Sequence, residues 1–426
     1  MTTPEQSLRA GVSEKRTGSG FRGALASRDF SLLFVGQLGS EIGNGLIQLA
    51  LPWLVLQLTG SAFQLGFAYF CQFLPMLLFG ILGGVFVDRW DRRRTIVVVD
   101  ALRAIGFLSV GIIYFLGDLT VVHVYAVIFM ESTLANLFNP ARAALMPNLV
   151  SKNDLRAANS LMEVSRHIGF LAAPPAGGFL VALLGPAAIM LVDGVTFLVS
   201  GITVFLIRWR PPVREQVQSE GLIHASGIVI NQTIEGLKAI KQRRLLQVAV
   251  LLGLSLNLIV SPIQVLLPLF VLDVKHADAD YFGVLVAGLL AGLISGSLTA
   301  PATARRLGLG KMAIGAVAVL GIVITIASWP PTIWPPLIAM TIAGFAIGSL
   351  NVAQTTLLQG STSDEERGRV SATYFTFTLG VRPFGYLAMG ALASAVDVRF
   401  LFVLLGCLAL TVATALTRMP EVRAAR

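Results

Sequence analysis

The sequence predicts an all-α integral membrane protein with twelve transmembrane helices, and composition, hydropathy and charge placement each support this fold class. Of the 426 residues, 55% are hydrophobic and only 13% are charged, against about 25% charged in a typical soluble domain. Mean hydropathy is +0.77. Because every backbone amide inside lipid must be bonded within its own segment, helices can cross a bilayer and open sheets cannot.

Apolar runs of about 20 residues recur along most of the chain, and each is long enough to cross a bilayer as a helix. The twelve predicted spans are numbered in chain order. They cover residues 31–57, 63–87, 95–116, 121–141, 160–183, 187–208, 245–271, 281–304, 311–329, 334–358, 370–393 and 396–416.

Lysine and arginine residues are concentrated in the loops on one predicted side of the membrane. Of the 32, 27 lie in the N-tail, the C-tail and residues 88–94, 142–156, 208–244, 305–311 and 367–369. The opposite side holds only Lys275, in a loop, and Arg399, near the predicted outer end of span 12. By the positive-inside rule, both termini are cytoplasmic. The net charge of +9 therefore indicates topology and contact with anionic membrane lipid, and no nucleic-acid partner is expected.

A long polar loop divides the spans into two predicted six-helix bundles. We expect a cytoplasmic N-tail, an N-terminal bundle, a central cytoplasmic loop, a C-terminal bundle and a cytoplasmic C-tail. These cover residues 1–29, 30–208, 209–244, 245–417 and 418–426. The N-tail lacks the apolar core of a cleavable signal, so we expect it to be retained. In the central loop, Ile230, Ile234 and Leu237 have helical spacing and predict a short amphipathic helix on the membrane surface.

The two halves carry an internal repeat. Residues 51–56 read LPWLVL and residues 267–272 read LPLFVL, an offset of 216. The same offset pairs Gln48 with Gln264 and Glu41 with Asn257. Repeats of this kind are typical of transporter folds whose binding site lies between the halves near the membrane midplane.

The loop between spans 2 and 3 reads GGVFVDRWDRRR over residues 83–94. It resembles the signature loop between helices 2 and 3 of the major facilitator superfamily, with Asp91 where that family most often has glycine. The matching residues are Gly84, Asp88, Arg89, Arg92 and Arg93. Three further phrases resemble the macrolide-efflux and enterobactin-exporter-like branch. They are NPARAALMPNLV at 139–150, AANSL at 157–161 and ERGRV at 366–370.

The resemblance implies a secondary active transporter with the major facilitator fold. It favours a proton-coupled exporter (antiporter) of bulky amphipathic molecules, such as drugs, macrolides or siderophore-like compounds, that works by alternating access. An uptake permease, or a lipid or lysophospholipid transporter of the same fold, is the alternative.

The resemblance also implies that Asp88 and its arginines latch the two halves on the cytoplasmic side, near the start of span 11. A helix N-terminus there would offer a partial positive charge to the aspartate, and Gly84 would permit close helix approach. The second half has Ala300 in place of the aspartate, so the latch would be one-sided. The alternative is that the arginines act only as a topology signal.

A polar face runs along span 1, which is otherwise almost entirely apolar or glycine. It consists of Gln37, Glu41, Asn44 and Gln48, at spacings that put all four on one side of the helix. An ionised carboxylate at this depth is costly, so Glu41 is expected to face the bundle interior or a wet cavity, to pair, or to be protonated. We predict that Glu41 carries the coupling proton and that the amides contact substrate. The alternative is that the amides only bond neighbouring helices.

Glu131, midway along span 4, is the second predicted proton-coupling residue. Asn139 and Arg142 lie near the same helical face, and pairing within the bundle is the alternative role for the acid. Asp193 lies in the outer third of span 6, nearer the interface, and is a weaker candidate.

Two acid–arginine pairs in the first half are one helical turn apart. Asp100 and Arg103 lie near the cytoplasmic end of span 3, and Glu163 and Arg166 lie near the start of span 5. This spacing predicts a local ion pair in each case.

The second half has no acid within a predicted span. Its predicted substrate contacts are Asn257, Ser261 and Gln264 on one face of span 7, and Arg382 in span 11. A buried arginine needs an anion, and we expect either an acid of span 1 or span 4, Glu41 or Glu131, or an acidic substrate.

Span 5 contains GFLAAPPAGG, which resembles the G-x-x-x-G-P-x-x-G-G pattern of antiporters in the superfamily, with Ala173 in place of the second glycine. Pro174 interrupts the helical hydrogen-bond ladder, and small residues allow close packing. The expected kink residues are Gly169, Pro174, Gly177 and Gly178. A purely structural kink is the alternative to an antiporter role.

Other classes of protein are disfavoured by the sequence. The four histidines are scattered, with no two within a helical turn, and no P-loop occurs, so we expect neither an enzyme nor a metal or other cofactor. A channel fits poorly with a two-half repeat and a latch. We expect a monomeric, multi-pass protein of the cell (inner) membrane, with small-molecule substrate, protons and membrane lipid as partners.

Overall fold

The computed structural model describes residues 20–79, 90–209, 234–327 and 334–424. Helices joined by short turns make up almost all of these residues, and no β-strand occurs among them. Eleven helical stretches in this part of the chain are long and apolar enough to cross a membrane. They are Arg28–Thr59, Ala62–Phe79, Arg92–Leu116, Val121–Asn148, Leu155–Leu184, Pro186–Phe205, Arg244–Val274, Ala279–Leu307, Leu309–Ala327, Trp334–Gly360 and Val398–Thr417. The all-helical membrane fold is confirmed, and these stretches correspond to every predicted span except span 11.

Polar caps and left-handed glycines define several helix ends. Asp91 accepts hydrogen bonds from the backbone N–H groups of Arg93 and Arg94, at 3.0 and 3.1 Å, and so begins span 3. Gly117 ends the same helix with a φ of 88°, which a residue with a side chain rarely adopts. A cap of this kind is worth about 1 kcal/mol, which explains why an aspartate at position 91 suits this loop.

Span 11 differs from its prediction as one continuous helix over residues 370–393. The structure has two helices, Asp364–Gly380 and Arg382–Ala393, which meet at Val381. Pro383 lacks a backbone N–H, and a charged Arg382 beside it further disfavours an uninterrupted apolar helix. Neither piece is a membrane-length apolar helix by itself, so eleven such helices are found among the described residues.

Glycines allow the spans of each half to approach closely. In the first half, a Cβ on Gly36 of span 1 would lie 3.0 Å from the Cα of Ser200 in span 6. Gly45 of span 1 similarly abuts the backbone of Gly169 in span 5. In the second half, Gly292 and Gly296 of span 8 lie against the span 10 backbone. Such small-residue contacts are typical of helices that pack in lipid, where the hydrophobic effect does not hold them together.

The two halves touch at two glycine pairs, both at the membrane side predicted to be outside. Gly66 of span 2 meets Gly390 of span 11, and Gly178 of span 5 meets Gly283 of span 8. Near the first pair, the rings of Tyr69 and Tyr386 stack with their centroids 5.0 Å apart. The predicted outer ends of the halves are therefore in direct contact.

A helix over residues 234–242, the linker helix, follows the central loop. Glu235 pairs with Arg369, and Arg243, just beyond the helix, pairs with Glu366 at 2.8 Å. Both partners belong to the ERGRV phrase at the start of span 11. Ile234 and Leu237, which the sequence assigns to the membrane-facing side, are exposed. Ile230 and the rest of residues 210–233 lie outside the described residues.

Both tails are partly folded onto the spans. The short helix Phe21–Ala26 buries Ala24 completely, and the Gly20 N–H donates to Asp154 at 2.9 Å. The helix Pro420–Ala424 buries Val422 against Gly310. The described parts of the two predicted tails, residues 20–29 and 418–424, therefore include short helices.

Candidate functional site in the first half

A polar cavity of about 350 Å³ lies among the spans of the first half. The four polar residues of the span 1 face all line it, from the deeply buried Gln37 to the exposed Gln48. The remaining polar lining consists of Ser40, Gln72, Arg103, Glu131, Asn139, Arg142 and Arg166. The predicted polar face therefore borders a cavity, although its Gln37 and Glu41 also bond neighbouring helices.

Glu41 pairs with an arginine from the predicted cytoplasmic end of span 4. Nη1 of Arg142 donates to Oε1 of Glu41 at 2.9 Å and also to Oε1 of Gln37 at 3.2 Å. Both charged side chains are about one-fifth exposed. The pair therefore balances charge on the cavity wall while remaining accessible from the cavity.

Glu131 pairs with Arg103 of span 3, with 3.4 Å between Oε1 and Nη2. The Arg103 guanidinium also lies over the rings of Phe138 and Phe197, 4.8 and 5.2 Å from their centroids. The expected local pair of Arg103 with Asp100 is therefore wrong, because packing of span 4 against span 3 supplies a different acid. The other expected local pair, Glu163 with Arg166, is confirmed.

Two further acids of the first half are fully buried. Asp100 accepts a hydrogen bond from Oγ of Ser200 at 2.7 Å, and Asp193 accepts one from Oγ1 of Thr196 at 3.1 Å. The second oxygen of each carboxyl group has no hydrogen-bond partner among the described residues. Sequence periodicity did not reveal the Asp100 contact, because Ser200 lies on another span.

The second-half candidates form a separate cluster and do not line the cavity. Nε of Arg382 donates to Oδ1 of Asn257 at 2.5 Å, and the Tyr386 hydroxyl donates to Oε1 of Gln264 at 3.2 Å. Ser261 is buried at the break in span 7. Among the described residues Arg382 has no ion pair, so neither Glu41 nor Glu131 is its partner in this structure. One shared central site is therefore not assembled here.

Span 5 is irregular next to the expected kink residues. A π-helical turn, Ile168–Ala172, precedes the helix Ala173–Leu184, in which Pro174 is buried. Gly169 abuts the backbone of Glu41, and Gly177 abuts Leu46 of the same span. These glycines thus place span 5 directly behind the coupling candidate on span 1.

The signature loop is described only in part, because Gly84, Asp88 and Arg89 lie outside the described residues. Nη1 of Arg92 donates to the Ala144 carbonyl at 2.9 Å, and Nε of Arg93 donates to the Val204 carbonyl at 3.2 Å. These arginines cap the ends of spans 4 and 6 within the first half. A direct bond from either to span 11, as the latch would require, is absent from the described contacts.

A second, mostly apolar cavity of about 280 Å³ lies between the halves. Phe73 and Met76 of span 2 line one side, Phe375 and Leu379 of span 11 line the other, and Asn136 of span 4 contributes an amide. Gln72 and Ala135 border the polar cavity, so consecutive residues of spans 2 and 4 line the two cavities. Sequence analysis missed this site, because its lining is ordinary apolar sequence until the helices are assembled.

The membrane-length helices and the internal cavity with paired ionisable groups define a multi-pass membrane transporter. A family model described as "Transmembrane secretion effector" matches residues 20–426. The chain therefore belongs to this family, which is part of the major facilitator superfamily and consists of membrane transporters, not enzymes. The expected superfamily, and the expected multi-pass location in the cell membrane, are confirmed.

Two curated relatives match nearly the whole chain. The multidrug efflux pump Tap of Mycolicibacterium fortuitum is 27% identical over 402 residues, covering 92% of this chain and 96% of that protein. Macrolide efflux protein A of Streptococcus pyogenes is 25% identical over 396 residues, with the same coverage of each chain. The expected resemblance to the macrolide-efflux branch is confirmed.

Solved structures with the same fold are more distant in sequence. The nucleoside transporter NupG is 14% identical, with a TM-score of 0.73, and the match covers 92% of this chain and 98% of that one. A bacterial homologue of the iron transporter ferroportin, in an inward-facing state, is 18% identical with a TM-score of 0.70, covering 93% and 99%. At these identities the likeness supports the fold alone.

Proposed function

We propose that the protein is a proton-coupled exporter of bulky amphipathic small molecules that works by alternating access. The names of the two curated relatives, both efflux pumps, support export. The observation that carries proton coupling is the Glu41–Arg142 pair, an acid held at 2.9 Å from an arginine on the wall of a cavity of about 350 Å³.

The pair gives protonation a structural consequence. An ionised Glu41 holds Arg142, whereas a protonated Glu41 leaves the arginine without its anion and favours a different arrangement of spans 1 and 4. Moving one charge through 100 mV supplies about 2.3 kcal/mol, comparable to the cost of a carboxylate in the membrane. A proton gradient can therefore bias which side the cavity faces. Glu131, paired with Arg103, is the second coupling candidate.

The two neighbouring cavities fit an amphipathic substrate. We assign polar substrate contacts to the amides of span 1 and, from the second half, to Asn257, Ser261, Gln264 and Arg382. The apolar cavity between Phe73 and Phe375 would hold the apolar body. Contact between the halves at Gly178 and Gly283 closes the predicted outer side, which is consistent with a cavity open to the cytoplasm.

The proposed architecture has twelve spans in two six-helix bundles, with the broken span 11 as the twelfth and both termini cytoplasmic. Asp88 and its arginines regulate the movement of the bundles, and the kink of span 5 serves as part of an antiporter motif. The protein acts as a monomer, with substrate, protons and membrane lipid as its partners, and nucleic acid is not among them.

Reconstitution in liposomes with an imposed pH gradient tests the proposal. Purified protein is supplied with a panel of fluorescent amphipathic substrates, and uphill accumulation is recorded with and without a protonophore. The parent should accumulate substrate against its gradient, and Glu41→Gln should abolish this while retaining substrate binding. Glu421→Gln is the matched control, because Glu421 lies on the C-terminal helix away from the cavity.

Uphill transport in Glu41→Gln equal to that of the parent would contradict the proposed proton coupling through Glu41. Substrate movement in the same direction as the protons would instead identify an uptake permease, and transport of phospholipid alone would identify a lipid transporter.

A further inference from the structure

A chain of hydrogen bonds leads from the Glu41–Arg142 pair into the packed interior of the first half. Oε1 of Gln37 accepts from Arg142 at 3.2 Å, and Nε2 of Gln37 donates to Oγ of Ser200 at 3.1 Å. The Ser200 hydroxyl in turn donates to Oδ2 of Asp100 at 2.7 Å. Gln37 is 1% exposed, and Ser200 and Asp100 are 0% exposed. The chain therefore joins the cavity wall to a carboxyl group that does not border the cavity.

The two ends of the chain fix its direction. An arginine can only donate hydrogen bonds, and an ionised carboxylate can only accept them. Because Ser200 gives its single proton to Asp100, its oxygen accepts from the Gln37 amide. Gln37 must then turn its carbonyl oxygen towards Arg142. The group that Gln37 offers to Arg142 thus depends on which partner donates in the bond between Ser200 and Asp100, which is three hydrogen bonds away from Arg142.

The surroundings of Asp100 leave it poorly compensated when ionised. The cations that act on it are Arg103, on its own span, and Arg142, from span 4. Each is engaged by another carboxylate, Arg103 by Glu131 and Arg142 by Glu41. Asp100 itself forms no ion pair among the described residues, and its Oδ1 has no hydrogen-bond partner.

Among the described residues, spans 1 and 6 add no cation at Asp100. Span 6 presents Ser200 and carries one acid, the buried Asp193, and a Cβ built on its Gly201 would lie 3.4 Å from the Asp100 Cβ. Span 1 presents Gln37 and its acid Glu41. A buried carboxylate that is held by one hydroxyl and no cation of its own is costly to keep charged. A proton bound to Asp100 removes the buried charge and therefore this cost.

We propose that Asp100 is a second proton-binding site, and that Ser200 and Gln37 transmit its charge state to the Arg142–Glu41 pair. The proposal rests on the proposed role of Glu41 in proton coupling. A proton on Oδ2 of Asp100 donates to Ser200, whose own hydroxyl then turns to Oε1 of Gln37. The amide rotates, and its NH₂ group faces Arg142.

This reversal couples the two acids. Arg142 loses Gln37 as a hydrogen-bond acceptor and keeps only Glu41. A proton on Glu41 would then leave the guanidinium without either of its two acceptors. A proton on one of the two acids, Asp100 or Glu41, therefore disfavours a proton on the other. The loss of one hydrogen bond corresponds to about a fivefold change in proton affinity at the other site.

Infrared difference spectroscopy of the full-length protein in nanodiscs, recorded over a pH series, tests the site directly. A buried carboxylic acid gives a C=O stretching band that appears as the pH is lowered. We expect one band to disappear in Asp100→Asn. In Asp100→Glu the same band should shift in frequency, and this second variant replaces the first if Asp100→Asn does not accumulate in the membrane. Retention of every carboxylic-acid band, unshifted, in these variants overturns the site.

A mutant cycle tests the transmission. Glu41→Gln should lower the proton affinity of Asp100 about fivefold when Ser200 is present. In a Ser200→Ala background, Glu41→Gln should leave the proton affinity of Asp100 unchanged. Ser165→Ala is the matched control, because Ser165 is equally buried but bonds only the Met162 carbonyl of its own helix. An unchanged effect of Glu41→Gln in the Ser200→Ala background overturns the transmission.

The infrared measurements use no substrate, and this keeps the two proposals separable. Normal uphill transport in Glu41→Gln would refute the proposed function even if the Asp100 band behaved as expected. An absent Asp100 band would refute the second site even if Glu41→Gln abolished uphill transport.

Discussion

Gly178 of span 5 and Gly283 of span 8 meet so closely that a Cβ on Gly178 would lie 2.6 Å from the Cα of Gly283. A Cβ on Gly283 would likewise lie 2.9 Å from the Cα of Gly178. Gly66 and Gly390 make the same kind of contact between spans 2 and 11. Two backbone contacts that tolerate no side chain therefore hold the halves together at one end of the molecule.

Gly178→Val should weaken this closed arrangement, because its side chain cannot fit against the Gly283 backbone. We expect transport in proteoliposomes to fall at least about tenfold, equivalent to a bias of about 1.4 kcal/mol against the closed state, while membrane expression persists. Gly315→Val is the matched control, since nothing lies within 4 Å of a Cβ built there. Parent-like flux in Gly178→Val would show that this contact does not form part of the transport cycle.

Arg382→Gln should separate acidic substrates from neutral ones. The structure gives Arg382 a neutral partner, Asn257, and leaves its charge available to an anionic group. Glutamine keeps a donor for Asn257 and removes the charge, so acidic or zwitterionic substrates should lose about tenfold in apparent affinity, as expected for one charge-assisted hydrogen bond. Neutral substrates should be unaffected.

Titration of a substrate panel in proteoliposomes measures this difference. Arg399→Gln serves as a control of equal charge change, because Arg399 is exposed in the first turn of the helix Val398–Thr417. An equal loss for acidic and neutral substrates would mean that Arg382 acts through the packing of span 11 and not through its charge.

The orientation of the chain can be checked with single cysteines in a Cys71→Ala, Cys407→Ser background. Asp118 follows span 3 and is predicted to be outside, whereas Asn153 follows span 4 and is predicted to be cytoplasmic; both are exposed. In intact cells, a membrane-impermeant maleimide should label Asp118→Cys and should label Asn153→Cys only after permeabilisation. The reverse pattern would place both termini outside.

The polar face of span 1 could be predicted from sequence because it depends on the helical period alone. Residues spaced by three and four positions share a side of any helix, so Gln37 and Glu41 had to face the same neighbour. The partner could not be predicted in this way. Arg142 is 101 positions away, and its approach depends on how span 4 packs against span 1.

The same limit explains the incorrect Asp100–Arg103 pair. One-turn spacing permits that contact, but span 4 brings Glu131 to Arg103, and span 6 brings Ser200 to Asp100. Span 11 shows a second limit. Its apolar composition indicated one crossing, whereas a proline and an arginine in adjacent positions divided it into two helices.

The role of Glu131 is open between proton coupling and structural pairing, and its arginine partner allows the two to be distinguished. Arg103 is about one-twentieth exposed, and its Nε already lacks a partner among the described residues. Glu131→Gln would leave this buried guanidinium without its anion. Breaking a buried pair from one side costs about 3 kcal/mol or more, so the thermal unfolding temperature in detergent should fall clearly.

A second substitution removes the stranded charge. Arg103→Met in the Glu131→Gln background replaces the pair by neutral side chains of similar length, and the methionine packs against the aromatic rings that Arg103 now covers. We expect the unfolding temperature to recover to near that of the parent, while uphill transport driven by a pH gradient remains impaired. Recovery of both stability and uphill transport would mean that Glu131 serves only to balance Arg103. Glu41 and Glu131 both border the polar cavity. Glu41 would then be the remaining candidate for the acid whose protonation follows the pH gradient.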